Sequence, residues 1–518
     1  MRAGWTPSLK HDTVAVVNFG GQYAHLIARR IRELGVYSEL VDYEQVCEDY
    51  MRRVRLKAVV LSGSPMSASS ANYSVVSEIL KLGVPVLGIC YGHQLLATAL
   101  GGRTEKGVGE YGRTRIRILT KDTLFEGWNS EEDVWMSHRD YVSSLPSSAK
   151  VLALSENNVI AAFKLKDKPV YGVQFHPEVS HTPKGSLLLS NFLFKIAGCE
   201  PSWRPGDVIE ELIAEVRRKT SGEGKVLCAV SGGVDSTVTA VIVKRAVGER
   251  LLAVFVDHGL LREGEVEETL AMFKNIGLNV VFIDAKERFL RKLRGVKNSE
   301  EKRRIIGEEF ALIFKEIVEK DPSIKWLAQG TIYPDVIESG REKHSAKIKS
   351  HHNVACLPEW LGLKVVEPLK YFYKDEVRKI GEKLGLPKTL LRKHPFPGPG
   401  LAVRIIGEVT EEKLKIVRRA SKIVEEELQG AGLYEKVWQG FAVVSDSKWV
   451  GVKGDSREEG YIVIVRVVES SDGMTADYVR LPYEVLDRIA SRIYKEIEKV
   501  TMVTYAITPK PPSTIEPC

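Results

Sequence analysis

The sequence contains two separate stretches in which short apolar segments alternate with amphipathic helical segments, and this feature constrains the fold more than any other. In the first stretch, the apolar segments TVAVVNFG (13–20) and VPVLGIC (84–90) flank a helical segment, YAHLIARRIRELG (23–35). In the second, KVLCAV (225–230) and RLLAVFVD (250–257) lie on either side of another helical segment. Alternating strands and helices form parallel sheets covered by helices. The sequence therefore predicts two doubly wound parallel-sheet domains of the α/β class.

Two segments rich in proline and glycine divide the chain. CEPSWRPG (199–206) separates the two alternating stretches, and HPFPGPG (394–400) follows the second. Beyond it, a charged helical segment precedes alternating strands such as YIVIVRVVES (461–470), which is an α+β pattern. At about 150 residues per domain, 518 residues have room for three domains. We predict three domains, the last a smaller α+β domain: residues 12–198, 205–395 and 400–518.

Composition excludes several classes of protein. With 44% hydrophobic and 28% charged residues the chain is too apolar to be disordered, and its longest apolar runs have the length of strands rather than of membrane spans. The first residues, MRAGWTPSLKHD, lack the apolar core of a secretory signal, so we expect a cytoplasmic location. The net charge of +7 comes without a dense Lys/Arg stripe, so we expect no nucleic-acid partner. The six cysteines form no CxxC pair, which disfavours disulfide and zinc frameworks.

The first chemical motif is VPVLGICYGHQ (84–94), where an apolar strand runs into a helix through two glycines. Cys90 stands between Gly88 and Gly92 at this junction. A tight turn between a strand and a helix lifts a nucleophile clear of the sheet, and the helix N-terminus stabilises a thiolate. A lone cysteine is more often a buried core residue, so this motif alone leaves both interpretations open.

The second motif, VQFHPE (173–178), places His176 and Glu178 two positions apart after another apolar strand. On an extended chain this spacing points both side chains to one face, so the imidazole can accept a thiol proton while the carboxylate orients the ring. A solvent-facing pair at a strand end is the simpler alternative. Within one predicted domain, however, the pair and Cys90 make a Cys-His-Glu triad, and we interpret the three residues as catalytic.

The third motif, SGGVDS (231–236), lies between a strand and a helix of the second stretch. Adjacent glycines let backbone N–H groups approach an anion, and Ser231 and Ser236 add hydroxyl donors at a helix N-terminus. The motif lacks the lysine of a Walker A loop and contains Asp235, which suits a bound Mg²⁺. Such a loop suits departing pyrophosphate, with attack at the α-phosphorus of ATP. An ordinary glycine turn before a helix is the alternative.

In combination, the motifs resemble known families. The first two motifs resemble class I glutamine amidotransferases, and SGGVDS resembles the N-type ATP pyrophosphatases. Along nearly the whole chain, the ordered set resembles the glutamine-hydrolysing GMP synthases. The further segments that carry this resemblance are LSGSP (61–65), MSHRDYV (136–142), VDHGLLREGE (256–265), EKRRIIGEEF (301–310), LAQGTIYPDVIES (327–339), KSHHNV (349–354), VEPLKYFYKDEVRKIG (366–381), HPFPGPGLAVRI (394–405), GMTADYVRLP (473–482) and KPPSTIE (510–516).

The resemblance implies an enzyme that hydrolyses glutamine, passes ammonia internally and adenylylates the C2 oxygen of xanthosine 5′-monophosphate (XMP) with MgATP. Its products would be GMP, AMP, pyrophosphate and glutamate. The resemblance makes residues 12–198 the amidotransferase, 205–395 the ATP pyrophosphatase and 400–518 a domain for substrate binding and dimerisation. A homodimer is therefore expected.

The resemblance also assigns site residues. Cys90 would be the nucleophile, His176 the general base and Glu178 the residue that orients it. The implied glutamine-binding residues are Gln94, Ser64 and Tyr91. The implied ATP-binding residues are Ser231, Gly232, Gly233, Val234, Asp235, Ser236, Thr237 and Val256, with Asp235 as the Mg²⁺ ligand. The implied XMP-binding residues are Arg262, Asp335, Lys510, Ile515 and Glu516.

Some positions depart from the family pattern, and two other functions fit part of the sequence. Ser64 stands where a second glycine is usual, and a positive φ there would strain the backbone of a possible oxyanion hole. Asn18 and Gly21 replace the usual Asp and Ser. One alternative keeps both enzyme modules but assigns a different nucleotide or a tRNA base as the acceptor. The other is a nucleotide-sensing or RNA-binding protein with an inactive amidotransferase, which the intact triad disfavours.

Overall fold

In this computed structural model, the described part of the chain covers residues 6–42, 50, 54–68, 73–222, 224–338, 361–453, 455–470, 473 and 475–517. The described residues separate into two units. The first contains those up to Pro205 together with 332–338 and Tyr371–Tyr373, and the second contains the rest. The motif KSHHNV (349–354) lies outside the described residues. The division of residues 205–518 into two domains stays a prediction.

Nine strands form one sheet in the first unit: β1 (Asp12–Asn18), β2 (Tyr37–Asp42), β3 (Arg55–Leu61), β4 (Val86–Ile89), β5 (Arg103–Ile118), β6 (Glu131–Ser144), β7 (Ala149–Ser155), β8 (Ile160–Leu165) and β9 (Val170–Val173). Their order is β2-β1-β3-β4-β9-β8-β7-β5-β6. Strands β2, β1, β3, β4 and β9 pair in parallel. The parallel sheet predicted for this part of the chain is therefore confirmed.

Strands β5 to β8 extend this sheet with antiparallel pairs, which the sequence analysis did not predict. Along β5, the exposed Arg113 and Arg115 alternate with the buried Thr114 and Ile116. This alternation is typical of an antiparallel strand that has one face in the core and the other in solvent. The sheet is therefore mixed, with the parallel strands at one side and the antiparallel strands at the other.

Helices cover both faces of the parallel part. They are α1 (Ala24–Glu33), α2 (Ser74–Lys81), α3 (Tyr91–Ala99) and α4 (Gly185–Ser190), the last followed by a π-helical segment, Asn191–Ile196. Val14 and Val16 of β1 pack in one hydrophobic cluster with α1, whereas Ala15 and Val17 pack in another with α2 and α3. Because successive side chains of a strand point to opposite faces, the two clusters lie on the two sides of a doubly wound sheet.

The segment predicted to separate the domains contains a buried tryptophan. Trp203 is 3% exposed, and its ring stacks on that of Phe372 with centroids 5.7 Å apart. The ring of Tyr37 lies 4.8 Å away, and the backbone N–H of Trp203 donates to the carbonyl of Gly35. The chain therefore packs as part of the first unit as far as Pro205.

A five-stranded sheet organises the second unit: β10 (Lys225–Ala229), β11 (Leu251–Asp257), β12 (Val280–Asp284), β13 (Ile324–Ala328) and β14 (Lys364–Val366). Its order is β12-β11-β10-β13-β14, and every pair is parallel, which confirms the second predicted parallel sheet. The order changes direction at β10. In open α/β sheets, ligands bind beyond the carboxyl ends of the strands at such a point, and here the SGGVDS loop follows β10.

Helices follow or precede each of these strands. They are α5 (Ile209–Lys219), α6 (Val234–Val247), α7 (Glu265–Asn275), α8 (Lys286–Leu293), α9 (Ser299–Lys320), α10 (Tyr333–Glu338), α11 (Lys374–Lys383) and α12 (Lys388–Leu391). Of these, α10 belongs to the first unit. Asn298 begins α9 by accepting hydrogen bonds from the N–H groups of Glu300 and Glu301, which otherwise have no partner within the helix.

The C-terminal part of the second unit has a smaller sheet and two helices. Its elements are α13 (Glu411–Gly430), β15 (Gln439–Lys453), β16 (Ser456–Glu469), β17 (Asp477–Tyr478), α14 (Tyr483–Glu496) and β18 (Val500–Tyr505). β16 pairs antiparallel with β15 and β17 and parallel with β18. This matches the predicted α+β pattern. Within the described ranges, no helix is both long and apolar enough to cross a bilayer.

Candidate active sites

Cys90 occupies the sharp turn between β4 and α3. Its backbone has φ of +52° and ψ of −103°, and the residue is buried. A positive φ is costly for a residue with a side chain and persists only where the surrounding structure enforces it. The N–H of Cys90 donates to the carbonyl of Val173 on β9, 2.9 Å away. This is the strand–turn–helix geometry of a nucleophile elbow.

The two glycines around Cys90 allow this turn to close. A Cβ atom on Gly88 would lie 2.5 Å from the carbonyl carbon of Gly92. A Cβ atom on Gly92 would lie 2.4 Å from the carbonyl oxygen of Leu61, at the end of β3. Side chains at either position would therefore push the start of α3 away from the sheet.

His176 and Glu178 follow β9 in a turn instead of the extended chain that the sequence analysis assumed, since β9 ends at Val173. Pro177 lies between the two residues and has no N–H to donate to a sheet. The side chains nevertheless meet, with His176 Nδ1 2.7 Å from Glu178 Oε1, and both are buried. Arg30 on α1 supports the turn by donating from Nε to the carbonyl oxygen of Glu178.

The imidazole of His176 lies beside the thiol. A Cβ atom on Gly63 would be 3.6 Å from His176 Cε1 and 3.9 Å from Cys90 Cβ, so the three residues surround one small space. Burial lowers the pKa of His176, but the carboxylate of Glu178 and the hydrogen-bonded sulfur of Cys90 raise it by more, to about 10. The site therefore favours the imidazolium form of His176, which stabilises an anion on the sulfur.

Gln94, on the first turns of α3, lies in the wall next to the nucleophile. Its Nε2 donates to the carbonyl of Asp140 at 2.6 Å and to Gln174 Oε1 at 3.1 Å. Gln174 in turn donates to Cys90 Sγ at 3.8 Å. The structure thus brings Gln94 into the same hydrogen-bonded group as Cys90.

Ser64 has an ordinary backbone conformation. Among the described residues other than glycine, a positive φ occurs at Cys90, Asn158 and Asp455. The Ser64 hydroxyl donates to the carbonyl of Phe19 at 2.8 Å. The neighbouring Gly63 lies so close to Gly21 that a Cβ atom on Gly21 would be 2.3 Å from its oxygen. The serine at position 64 therefore costs no backbone strain, and the glycine at position 21 makes room for the loop.

Tyr91 contributes its side chain to the core rather than to the site. Its ring packs edge-on against Phe19 with centroids 5.4 Å apart, and the residue is 3% exposed. As the first residue of α3, it has a backbone N–H without an acceptor inside the helix. This N–H is the group of Tyr91 that could serve a substrate bound at Cys90.

The SGGVDS loop is held in shape by its own hydroxyl groups. Ser236 Oγ lies 3.1 Å from Ser231 Oγ and accepts the N–H of Ser231 at 3.2 Å. Thr237 Oγ1 donates to the carbonyl of Gly233 at 2.8 Å. Gly232 has φ of +75°, and a Cβ atom there would lie 2.7 Å from the side chain of Thr269. The loop is therefore formed before any phosphate arrives.

Asp235, the predicted metal ligand, forms an ion pair in this structure. Its Oδ2 lies 2.5 Å from Lys374 Nζ on α11, whereas its Oδ1 is buried without a hydrogen-bond partner among the described residues. The described residues contain no group of three His, Cys, Asp or Glu side chains that could hold a metal by itself. Mg²⁺ is commonly held by one or two carboxylates together with substrate phosphates, so a single free carboxylate oxygen fits it.

Val234 and Val256 are buried, with exposed fractions of 4% and 6%, and Val256 belongs to the main core cluster of the second unit. Their predicted contacts with ATP stay a prediction.

Arg262 faces the segment 394–396 and a cavity. Its Nη2 donates to the carbonyl of His394 at 3.3 Å, and its guanidinium lies 4.4 Å from the centre of the Phe396 ring. The cavity has a volume of about 440 Å³ and is also lined by Asp257, Lys286 and Arg418. Arg262, which is predicted to bind XMP, thus lies next to a cavity with the size of a nucleotide.

The C-terminal segment is tied to the second unit at several points. Glu516 accepts two hydrogen bonds from Arg404, at 3.0 and 2.8 Å, and one from Gln439 at 2.8 Å. Lys510 Nζ donates to the carbonyl of Gly473 at 2.7 Å. Ile515, next to Glu516, is partly buried. The predicted XMP residues Lys510, Ile515 and Glu516 therefore lie on an ordered segment.

Asp335 lies in α10, which belongs to the first unit, whereas the other predicted XMP residues belong to the second. Its Oδ2 accepts the N–H of Ile332 at 2.9 Å. This bond caps the first turn of a short helix.

Sequence reasoning missed several residues that the structure places at these sites. They are Gln174 beside Cys90, Lys374 on Asp235, and Arg404 and Gln439 on Glu516. Gln174, Lys374 and Arg404 lie inside motifs already recognised, VQFHPE, VEPLKYFYKDEVRKIG and HPFPGPGLAVRI. Their partners are distant in the sequence, so no spacing rule could have identified the contacts.

Three family models match the chain, one after another. Residues 15–196 match the model "Glutamine amidotransferase class-I", residues 207–309 match "NAD synthase", and residues 426–517 match "GMP synthase C terminal domain". Together with the two parallel sheets and the SGGVDS loop, these matches define the class: an amidotransferase joined to an ATP-using synthetase.

Curated relatives narrow this class to one family. The chain is 59% identical to a protein of Pyrobaculum aerophilum, over 98% of this chain and 100% of the relative. It is 50% identical to a protein of Caldicellulosiruptor saccharolyticus and 51% identical to one of Aquifex aeolicus, with the same coverage. Each relative is named GMP synthase [glutamine-hydrolyzing]. The chain belongs to the family of glutamine-hydrolysing GMP synthases.

Proposed function

We propose that this chain releases ammonia from glutamine at Cys90 and uses it, with ATP, to convert XMP to GMP. The other products are glutamate, AMP and pyrophosphate. The observation that carries the proposal is the meeting of Cys90, His176 and Glu178 in one buried site of a chain that matches the GMP synthase family over 98% of its length.

In the first reaction, the sulfur of Cys90 attacks the side-chain amide of glutamine. His176 is held as the imidazolium by Glu178 and donates a proton to the departing ammonia, then accepts one from the water that hydrolyses the thioester. The N–H groups of Ser64 and Tyr91 are the candidates for stabilising the tetrahedral oxyanion. Gln94 and Gln174 shape the pocket through their mutual hydrogen bond.

In the second reaction, the SGGVDS loop binds the phosphates of ATP. The hydroxyl groups of Ser231 and Ser236 and the N–H groups at the start of α6 face an anion at a helix N-terminus. Asp235 would hold Mg²⁺ through its unpaired oxygen, and the ion would neutralise charge on the departing pyrophosphate. Lys374 would then be released from Asp235 and become free to bind a phosphate oxygen.

The acceptor in this proposal is XMP, held within the second unit by Arg262, Lys510, Ile515 and Glu516. The ordered C-terminal segment supports this role, because Arg404 and Gln439 fix the carboxylate of Glu516 where it can accept hydrogen bonds from hydroxyl groups. A different nucleotide or a tRNA base as acceptor would need another arrangement of these residues.

We also propose a cytoplasmic homodimer. The exposed apolar residues Trp449, Val450 and Val452 of β15 offer a surface for a second copy in the C-terminal region. Sedimentation equilibrium would test the oligomeric state, and a monomer at all concentrations would contradict it.

One incubation tests the proposed reaction. The protein is mixed with MgATP, glutamine and XMP, and the products are separated by chromatography. AMP, pyrophosphate, glutamate and GMP are expected in equal amounts. ADP and orthophosphate, or amination of another nucleotide in preference to XMP, would contradict the proposal.

A further inference from the structure

A buried pair of a carboxylate and an imidazole lies close to the glutamine pocket but outside the triad. His138 on β6 and Glu110 on β5 are direct neighbours across the two strands, with His138 Nε2 3.0 Å from Glu110 Oε2. Their exposed fractions are 5% and 6%. Exposed ion pairs occur elsewhere on the same strands, such as Arg113 with Asp133, so the burial of this pair is a particular feature.

Both carboxylate oxygens of Glu110 and both ring nitrogens of His138 have a hydrogen-bond partner. Glu110 Oε1 accepts hydrogen bonds from Ser155 Oγ at 2.6 Å and from Asn157 Nδ2 at 2.9 Å. Burial raises the pKa of Glu110, but the hydrogen bonds from His138, Ser155 and Asn157 outweigh it and hold this pKa below its ordinary value. On the other side, His138 Nδ1 lies 2.9 Å from the carbonyl oxygen of Asp140. Both ring nitrogens of His138 thus lie within hydrogen-bond distance of an oxygen atom.

The pair is connected to the nucleophile through hydrogen bonds. The carbonyl of Asp140 that faces His138 also accepts the 2.6 Å hydrogen bond from Gln94 Nε2. Gln94 donates to Gln174, and Gln174 donates to Cys90 Sγ. A series of hydrogen-bonded groups therefore runs from Glu110 to the sulfur. Its members between the two ends are His138, the backbone carbonyl of Asp140, Gln94 and Gln174.

The backbone next to His138 also forms part of the pocket wall. The carbonyl oxygen of Ser137 lies 3.7 Å from Cys90 Sγ. On the far side of the segment, the hydroxyl of Ser67 donates to Asp140 Oδ2. Glutamine must bring its amide carbon to within about 3–3.5 Å of the sulfur for attack, so a shift of residues 137–140 would misplace it.

Stability alone does not explain a charged pair at this position. A buried ion pair can often be replaced by apolar residues of similar size without loss of stability, and Ile116, six positions further along the same face of β5, is apolar. A charged, fully hydrogen-bonded pair instead fixes one geometry, because any other arrangement leaves a buried charge unsatisfied.

We propose that Glu110 and His138 are positioning residues that hold residues 137–140 in the geometry needed to bind glutamine at Cys90. This inference rests on the proposed amidotransferase reaction but not on the identity of the nucleotide acceptor. Neither residue touches the reacting atoms, so both act through the segment 137–140 and Gln94.

The test compares Glu110→Gln with Asp133→Asn, which removes an exposed charge from the same pair of strands. In the presence of MgATP and XMP, glutamate release by Glu110→Gln should show a KM for glutamine raised about tenfold. The kcat should change less than KM, and GMP formation from ammonium chloride should be unchanged. The control should match the original protein in all three measurements.

A second measurement uses the rate at which Cys90 is alkylated. Labelling by a glutamine-shaped diazoketone should slow about tenfold in Glu110→Gln, whereas labelling by the small reagent iodoacetamide should not. This comparison needs no nucleotide, so it remains valid even if the chain aminates another acceptor. A failure of the proposed function would show as an absence of GMP from the unchanged protein with ammonium chloride.

Ser155→Ala provides a milder variant should Glu110→Gln unfold. It removes one donor to Glu110 Oε1, and KM for glutamine should rise about two- to threefold. An unchanged KM in both variants, or an equal rise in Asp133→Asn, would overturn the proposal and leave the pair with only a structural role.

Discussion

The two candidate sites differ in how much of their chemistry the chain itself supplies. At the amidotransferase site, the nucleophile, the imidazole and the orienting carboxylate already contact one another in a buried space. At the ATP site, the phosphate-binding loop is formed, but its carboxylate Asp235 is paired with Lys374. At the first site the three side chains contact one another, whereas at the second the carboxylate of Asp235 contacts a lysine and has one oxygen without a hydrogen-bond partner among the described residues.

The difference follows from the two reactions. Covalent attack on an amide needs a nucleophile, a proton carrier and an oxyanion site, and the proposed groups for all three belong to the protein itself. Adenylylation is governed by the charges of ATP and its metal ion, which arrive together with the substrate. The ion pair of Asp235 with Lys374 leaves one carboxylate oxygen available for such a charge. The comparison teaches that a site for covalent catalysis is built from side chains in mutual contact, whereas a site for phosphate chemistry is built from a loop and a few charged groups.

Removal of the nucleophile should separate the two sites most sharply. In Cys90→Ala, glutamine-dependent GMP formation should be lost completely because no other residue can form the thioester. GMP formation from ammonium chloride at alkaline pH should continue, since the ATP site needs only free NH₃. Initial rates with the two nitrogen sources check this. Equal loss of both would mean that Cys90 is structural and that the triad is misassigned.

Asp235→Asn tests the ATP site instead of the amidotransferase site. An amide lacks the negative charge with which the carboxylate would bind Mg²⁺, so turnover should fall at least about a hundredfold with glutamine and with ammonium alike. Asp321→Asn is a matched control, because Asp321 also pairs with a lysine, Lys225, but lies away from the loop. If Asp235→Asn keeps ammonium-supported activity, the metal lies elsewhere.

Glu178→Gln should reduce the activity of the amidotransferase site without abolishing it. Glutamine can keep the hydrogen bond to His176 Nδ1 but not the charge, so kcat for glutamine hydrolysis should fall about ten- to a hundredfold. Glu178 raises the pKa of His176, so its replacement lowers that pKa, and the alkaline decline of kcat/KM should move to lower pH. If the alkaline decline of kcat/KM stays at the same pH, a group other than His176 transfers the proton.

Glu516→Gln should have the smallest effect of these four variants. Its carboxylate is held by Arg404 and Gln439, and loss of its charge should raise the KM for XMP about tenfold while glutamine hydrolysis is preserved. Glu427→Gln removes an ion pair with Arg488 in the same unit and should leave this KM unchanged. Equal KM values in both variants would exclude Glu516 from the XMP site.

The sequence predicted those parts of the fold that depend on local patterns. Both parallel sheets and the α+β region were recognisable because strand and helix periodicities alternate over short distances. The antiparallel strands β5 to β8 were missed, although the alternation of Arg113, Thr114, Arg115 and Ile116 is visible in the sequence. The continuous apolar segments of the parallel strands are a stronger signal than this alternation.

Residues of the candidate sites were predictable where neighbours in sequence act together. Cys90 between two glycines, and His176 two positions before Glu178, are local patterns. Lys374 lies 139 positions from Asp235, and Arg404 lies 112 positions from Glu516. Such contacts depend on how distant elements pack, which no local pattern encodes. The strain expected at Ser64 was also absent, because backbone φ depends on the loop around a residue and not on its type.

The strained backbone of Cys90 bears on how this domain could change over generations. Replacement of Cys90 by glycine would relieve about 1–3 kcal/mol of strain, offset by roughly 0.5–1 kcal/mol for the greater freedom of glycine in the unfolded chain. Glycine and alanine at this position both lose the buried thiol, so a comparison of the two variants isolates the backbone, and Cys90→Gly should unfold at a higher denaturant concentration than Cys90→Ala. The strained turn therefore opposes the stability of the fold and serves only the placement of the thiol.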